Sequence, residues 1–462
     1  LSGRTGRSGR NFFRELRATA ARIIAPELTR GFDAASWKRF PKEARFARTA
    51  TETLASAPAI RSRARYYYAN DAHAHAAVES LVAFAVGAGP VPAHPDAELV
   101  ADFMTWWDAA GENGADFGSV IASLFREAVV SGDGFAIARH TPEGDLYYQL
   151  IPAEQVAESE SRELGGGAFI ASGVEHDATG RIVAYWIHPR SPTTTFESYA
   201  PPVRVDARDV IHLAKLSVGQ IRGVSFLAPV LLRLADLGLL SDSLLKGFQV
   251  AALHAGFIED SLGTSGLPFD GQATDNPGEL EVSLEPGTVR RLGPGQKITF
   301  NNPQAANQSI EFLTANIEAI SAGLGVPAFL VSGNCARANF SSLRASVSIA
   351  FKARLEALQW TMIAPMALAP IWRRFVLTRA LRDGRAVADA DMRCEWRFPA
   401  LPEPDPAKSA AATITQLDAR LMSRREAIAA RGESIERVDA DIAADPFTND
   451  PEPSEEDSND DA

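Results

Sequence analysis

ANFSSLRASVSIAFKARLEALQWTM, residues 338–362, is the stretch whose periodicity decides the fold of this 462-residue chain. Phe340, Leu343, Val347, Phe351, Leu355, Leu358 and Met362 recur every three or four positions, whereas Arg344, Ser348, Lys352 and Gln359 fall between them. That spacing puts one apolar stripe on one face of a helix. Asn339 is a suitable N-cap, Pro365 and Pro370 predict kinks, and Asp383-Gly384 predicts the end. The run is roughly forty residues, against a mean of about 11 or 12 for globular helices. Coiled coils, repeats and ring-forming assemblies are the usual homes of such lengths.

Upstream of this helix the spacing predicts another from about Gln308 to Leu324, closed by Gly325-Val326-Pro327, and then a loop from Ala328 to Ala338. Before it lies a helix from about Phe226 to Ala255. The two are separated by a Gly-, Pro- and Asp-rich segment (Ser261 to Gly278) and strand-like pieces at Val289 to Leu292 and Lys297 to Phe300. From Gly134 to about Leu213 the pattern shortens to strands: Phe135 to Arg139, Leu146 to Ile151, Gly167 to Glu175 and Arg181 to His188. Turn signals at Pro142-Glu143-Gly144-Asp145 and Asp177-Ala178-Thr179-Gly180 join them, which reads as a hairpin-rich α+β body. Helices are expected near 63–86 and 98–131. After the long helix come a Pro-rich linker, Pro399 to Pro406, and a helical hairpin around Ser423.

With 46% hydrophobic and 23% charged residues the chain can bury a core and is expected to hold two or three structural units. Gly87, Gly89, Pro90 and Pro92 interrupt the apolar run that begins at Leu81, so no membrane span is expected, and no secretory apolar segment is recognised at the start. Cys335 and Cys394 form no CxxC pair, and a reducing cytoplasm is the expected setting. The net charge of −12 argues against a surface that grips phosphates everywhere. Residues 1–50 nonetheless carry 12 Lys/Arg against 4 Asp/Glu, and residues 446–462 carry 7 acidic side chains and no basic one. The basic arm is either a solvated segment or one that contacts a neighbour, nucleic acid or an acidic surface. Phe447 is the one large apolar residue of the acidic tail, which predicts a tail without a fold of its own.

Motifs for catalysis are absent: there is no HExxH, GxSxG or GxxxxGK[ST], and Gly293-Pro294-Gly295-Gln296-Lys297 lacks the spacing of a phosphate loop. His73 and His75 stand two apart on a predicted helix and do not face each other, so no metal site is expected. His176 and Asp177 lie in a predicted hairpin turn, and Cys335 has no nearby His. Structural roles are expected for each, with no cofactor and no catalysis.

Several segments together resemble the lambda-type phage portal proteins. Gly219-Gln220-Ile221-Arg222-Gly223-Val224-Ser225-Phe226-Leu227-Ala228-Pro229 looks like the turn that precedes a long helix in that family. Gly325-Val326-Pro327 followed by Ala338-Asn339-Phe340-Ser341-Ser342-Leu343-Arg344 resembles the family's passage from a stem helix through a tunnel loop into its long helix. Tyr68-Ala69-Asn70-Asp71, Val86-Gly87-Ala88-Gly89 and Asp405-Pro406-Ala407-Lys408 resemble segments nearer the ends, so the likeness runs from about Arg61 to Val438.

The resemblance implies an α+β, multidomain portal fold arranged as a ring, usually of twelve copies. Its parts would be a basic arm (1–60), a hairpin-rich wing (61–232), paired stem helices (233–257 and 308–327) around a small α/β clip insertion (258–307), and a tunnel loop (328–339). A long kinked helix with wing return (340–398), a helical crown (399–445) and an acidic tail (446–462) would follow. Such a ring passes double-stranded DNA without reading sequence and sits at the portal vertex of the virion capsid after assembly in the host cytoplasm. Its implied partners are the terminase large subunit, head-completion or adaptor proteins, and the major capsid and scaffold proteins. Asn334, Arg337 and Asn339 would line the channel, with Arg337 meeting either a phosphate or a neighbouring subunit's carboxylate. Phe248, Phe257 and Phe312 are the expected subunit anchors, because a narrow apolar helix face needs a neighbour to cover it. Two rival readings are a head-tail adaptor ring that does not line the DNA path and a phage-encoded hydrolase using His176 and Asp177.

Overall fold

The structure, a computed structural model, describes residues 49–189, 200–252, 256–260, 296–300, 306–336, 345–401, 405–433 and 435–445. By its contacts the chain divides into residues 1–52 and 53–462, and the architecture below is that of the second unit. Helices α1 (Thr49–Asn70) and α2 (Ala72–Ala85) replace the single helix expected over 63–86. They part at Asp71, whose carboxylate accepts the Ala74 N–H at 2.8 Å and caps α2. After β1 (Val91–Ala93), the helix expected over 98–131 is likewise two, α3 (Ala97–Trp107) and α4 (Phe117–Ser131). Between them Asn113 and Gly114 take φ of 60° and 77°, which turns the chain, and Asp116 caps α4 through the Ser119 N–H. Helical spacing survives across such a break, and the periodicity alone conceals it.

The body is antiparallel. β2 (Asp133–His140), β3 (Leu146–Ile151) and β9 (Val210–Ala214) form one sheet in the order β3-β2-β9. β4 (Arg162–Gly165), β5 (Ala168–Ala171), β6 (Val174–His176), β7 (Ile182–Ile187) and β8 (Val203–Asp206) form a second in sequence order. The single strand expected over 167–175 is split, because Ser172 and Gly173 adopt φ of 50° and 79° and reverse the chain between β5 and β6. β4, β8 and β9 carry no alternation strong enough to stand out. β2 is central, so both of its faces are covered: Ala136 and Ala138 face the main core, and Phe135 and Ile137 face a smaller core shared with Val174, Tyr185 and Ile187. An aromatic cluster of Phe103, Trp106, Phe117, Trp372, Phe375 and Trp396 fills the main core's far side.

α5 (Leu231–Ala252) and α6 (Ala306–Leu324) pack together, with Leu231, Leu234, Leu237, Ile320 and Leu324 buried in the core at their near ends and Leu313 and Ile317 packed against it. α5 starts later than the sequence suggests because Pro229 and the Ser225 hydroxyl, which accepts the Leu227 N–H, hold residues 226–230 as a turn. Beyond the pair, β10 (Gly256–Asp260) and β11 (Gln296–Phe300) are antiparallel with Phe257 opposite Thr299. The expected strand at 289–292 lies outside the described residues. Where a loop is expected from Ala328, a short helix, α7 (Ala328–Ser332), follows Gly325-Val326-Pro327 instead, and the described loop begins only at Gly333.

Residues 345–383 form one long helix, α8. Ala345–Phe351 and Gln359–Leu368 wind with i→i+5 bonds, Lys352–Leu358 and Ala369–Asp383 as α-helix, and Gly384 (φ 64°) ends it where Asp383-Gly384 predicts. Pro365 lies in the second wide segment, so the lost N–H is absorbed by a change of winding and the helix runs on. β12 (Glu395–Arg397) then pairs with β1. α9 (Pro406–Asp418), α10 (Arg424–Ala429), opened by a capping box of Ser423 and Glu426, and α11 (Ile435–Ala444) close the described chain.

Candidate functional site

The Gly219 to Gly223 turn is the hinge between the sheets and α5, and a buried charge fixes it. Asp133 opens β2 with its carboxylate fully buried. Oδ1 accepts the Gly223 N–H at 2.6 Å and the His212 Nε2–H at 2.9 Å, and Oδ2 accepts the Arg222 Nε–H at 2.8 Å. The ionised carboxylate only accepts, so His212 carries a hydrogen on Nε2, and its Nδ1 lies 3.3 Å from the Tyr185 hydroxyl. The other Arg222 nitrogens donate to Ser172 O at 3.1 Å and Ala153 O at 2.8 Å, and its guanidinium lies 5.1 Å from the Phe135 ring centre. Arg61 of α1 adds Ser131 O and Glu158, with Nη2 3.9 Å from Asp133. Burial alone would raise the Asp133 carboxyl, but Arg222, His212 and the Gly223 N–H outweigh it and hold it below the usual carboxylate range.

Two glycines let this happen. Gly132 (φ 94°) and Gly223 lie backbone against backbone, and a Cβ on Gly223 would stand 2.0 Å from the Gly132 carbonyl oxygen. Gly219 takes φ of 82°, and Gln220 closes the turn by accepting the Ser217 N–H at 2.7 Å. The four turn residues singled out by resemblance, Gly219, Gln220, Arg222 and Gly223, are thus brought together. Asp133, His212 and Arg61 were not foreseen. One signal was available: Gly132-Asp133-Gly134 puts an acid between glycines at the mouth of a strand, where Asp is otherwise depleted.

Of the loop residues, Asn334 is described and exposed; its Oδ1 accepts the Ala336 N–H at 2.9 Å just after Gly333 (φ 68°) ends α7. Arg337, Asn339, Ser341, Ser342 and Arg344 lie outside the described residues, as do the basic arm up to residue 48 and the tail from residue 446. Phe312 stands exposed on α6, as do Leu232, Leu239 and Leu245 on α5. Phe248 is on α5 and Phe257 on β10, with side chains outside the description.

His176 and Asp177 do not work together. The His176 ring stacks on Phe169 at 4.7 Å and burial lowers its pKa, while the Asp177 carboxylate is taken up by Thr179 and the Arg181 N–H of its own turn. His75 stacks on Tyr68. Among the described residues no three His, Cys, Asp or Glu side chains gather as metal ligands would, and no helix is long and apolar enough to cross a membrane. A cleft of about 760 Å³ opens between α3, the β2–β3 turn and the end of α8, where Arg379 spans to Asp102 beside Trp106 and Phe375.

Residues 34–359 match the family model described as phage portal protein, lambda family. Among solved structures, a chain in the virion of a native gene transfer agent particle is similar at 14% identity over 82% of this chain and 93% of its own, with a TM-score of 0.46. A chain in the neck of the native gene transfer agent particle, computed with C12 symmetry, gives 15%, 80%, 91% and 0.45. A HK97-family phage portal protein from Corynebacterium diphtheriae gives 12%, 65%, 90% and 0.33.

Proposed function

This chain belongs to the lambda family of phage portal proteins, and from that premise we propose that its copies, twelve in number, close into the ring through which double-stranded DNA enters and leaves the capsid. The observation that carries this reading is the α5–α6 pair. Its near end is locked to the body by the Arg222–Asp133 hub, while Leu232, Leu239, Leu245 and Phe312 remain uncovered along it. Scattered exposed leucines are ordinary, but two long helices with these apolar side chains uncovered among the described residues call for a neighbour. In this reading α5 and α6 are the stem, β10 and β11 belong to the clip, α8 follows the tunnel loop, and α9 to α11 make the crown.

The ring would stand at the portal vertex of the virion after assembly in the host cytoplasm. Terminase, docked on the clip, would supply the motor's chemistry, head-completion or adaptor proteins would follow it there, and capsid and scaffold proteins would hold the rim. The portal would itself catalyse nothing. A channel that lets DNA slide must not hold it, and a chain of net charge −12 suits that requirement. Backbone contact carries no sequence information, so none would be read. Class-averaged electron micrographs of the purified protein test the reading: rings with a central hole are expected, and a stable monomer at high concentration would refute it.

A further inference from the structure

Two cations at the base of the α5–α6 pair have no counter-charge among the described residues. Lys215, one residue past β9, holds Nζ 5.5 Å from the centre of the Phe226 ring, and Arg354 of α8 holds its guanidinium carbon 5.9 Å from the same ring. The Arg354 side chain lies across the turn that ends α6, with Nε 3.2 Å from where a Cβ on Gly325 would stand. That Nε is buried and has no hydrogen-bond partner among the described residues. Neither cation is in an ion pair among the described residues. Burial lowers both pKa values, and the charge of Arg354 lowers that of Lys215 further. Two like charges brought together and partly dried without an anion are unfavourable; the Phe226 ring offsets only part of this.

We infer that Lys215 and Arg354 are the receiving half of a salt bridge between copies of this chain, completed by a carboxylate from the stem of the neighbouring copy, Asp236 or Glu318. This deepens the ring reading and rests on it. A DNA phosphate is the less suitable anion, because a fixed cation pair, Arg354 half-buried and Lys215 exposed beside it, would grip a duplex that has to slide. The chain carries 58 acidic against 46 basic side chains, so a neighbour offers carboxylates in excess. Asp236 on α5 and Glu318 on α6 are exposed and have no cation partner among the described residues. Rotational symmetry brings residues of similar height into contact. At about 1.5 Å per residue, Asp236 stands about 8 Å along α5 from Leu231 and Glu318 about 9 Å along α6 from Leu324. Asp242 and Glu311, the next acids, stand roughly twice as far out.

The test is charge reversal in the full-length protein, with the ring fraction read by sedimentation velocity and the fold by circular dichroism. Lys215→Glu and Arg354→Glu are expected to stay folded and to lose rings by about tenfold at a fixed concentration, more so at low salt. One of Asp236→Lys and Glu318→Lys should do the same, and combining it with Arg354→Glu should restore the ring. Should Arg354→Glu misfold, Lys215→Glu with the same two reversals decides alone, its side chain being exposed. Rings unaffected by the cation reversals overturn the proposal, as does the absence of rescue by either acid reversal. Intact rings that lose DNA also overturn it, in favour of a phosphate contact. Absence of rings from the unmodified protein would instead refute the portal reading itself.

Discussion

Asp133 is the residue on which the hinge depends, because one buried carboxylate neutralises Arg222, orients His212 and caps the Gly223 N–H. Asp133→Asn leaves the Arg222 guanidinium buried without its counter-charge and is expected to destabilise the fold by about 3–5 kcal/mol, read from urea unfolding at neutral pH. The pH dependence follows from the direction of the shift. The folded-state pKa lies below the unfolded one, so the stabilisation is complete above the ordinary carboxylate value of about 3.9 and is lost as pH falls through the folded value. The difference between wild type and Asp133→Asn should therefore hold from neutrality down to about pH 4 and shrink below it; a difference that grew on acidification would assign the hub's charge wrongly. Half of this hub was legible in the sequence. Arg222 stands in a recognisable turn, but Asp133 lies 89 residues away, and only the β2–β9 register, with Phe135 opposite His212, brings them together. No local periodicity encodes that distance.

At the scale of elements, periodicity found the apolar faces and missed the interruptions. The strand at Leu146–Ile151 and the end of α8 at Gly384 are where alternation and the Asp-Gly signal predict. Breaks at Asp71 and across 108–116 were hidden because an apolar stripe resumes in phase after a polar cap. The winding of α8 was hidden for another reason: i→i+5 segments share the side-chain chemistry of an α-helix and differ only in which carbonyl each N–H meets. That winding bears on packing at Gln359, which begins the second wide segment, is buried, and donates from Nε2 to Ala85 O at 3.0 Å. Ala85 is the last residue of α2, so its carbonyl is one that no helical N–H reaches. Gln359→Leu keeps the bulk and removes the donor, and should cost about 1–3 kcal/mol, seen as a lower thermal midpoint. An unchanged midpoint would mean that the α2–α8 contact rests on apolar packing alone. Gly223→Ala probes the other end of the body: its Cβ meets the Gly132 carbonyl, a backbone atom that cannot swing aside, so the hinge must open. Loss of the Arg222–Asp133 pairing should appear as a fall in stability comparable to that of Asp133→Asn.

For the whole molecule, the order of motifs in the sequence conveyed the family, and it says hardly anything of contacts between copies. A stem helix reads as amphipathic whether its uncovered leucines meet a neighbour or water. The proposed channel is the sharpest case, since its lumen would exist only in the ring. The resemblance implies that the loop from Ala328 to Asn339 lines its narrowest part. Arg337 is the one charged side chain between Glu318 and Arg344, which makes it the natural phosphate contact in an otherwise neutral loop. Its alternative partner is a carboxylate of the adjacent copy. The two readings separate by charge. Arg337→Glu changes each copy by two units, and a ring of such changes around a narrow lumen of low dielectric would repel a duplex carrying one negative charge per about 1.7 Å of its axis. Rings should assemble, yet the genome packaged or retained per head should fall, whereas Arg337→Ala, which removes attraction without adding repulsion, should be milder. If Arg337 instead pairs with a neighbour's carboxylate, Arg337→Glu sets two acids together between copies, and the ring fraction falls before packaging can be measured. Equal genome per assembled head in wild type and Arg337→Glu would take this loop out of the DNA path.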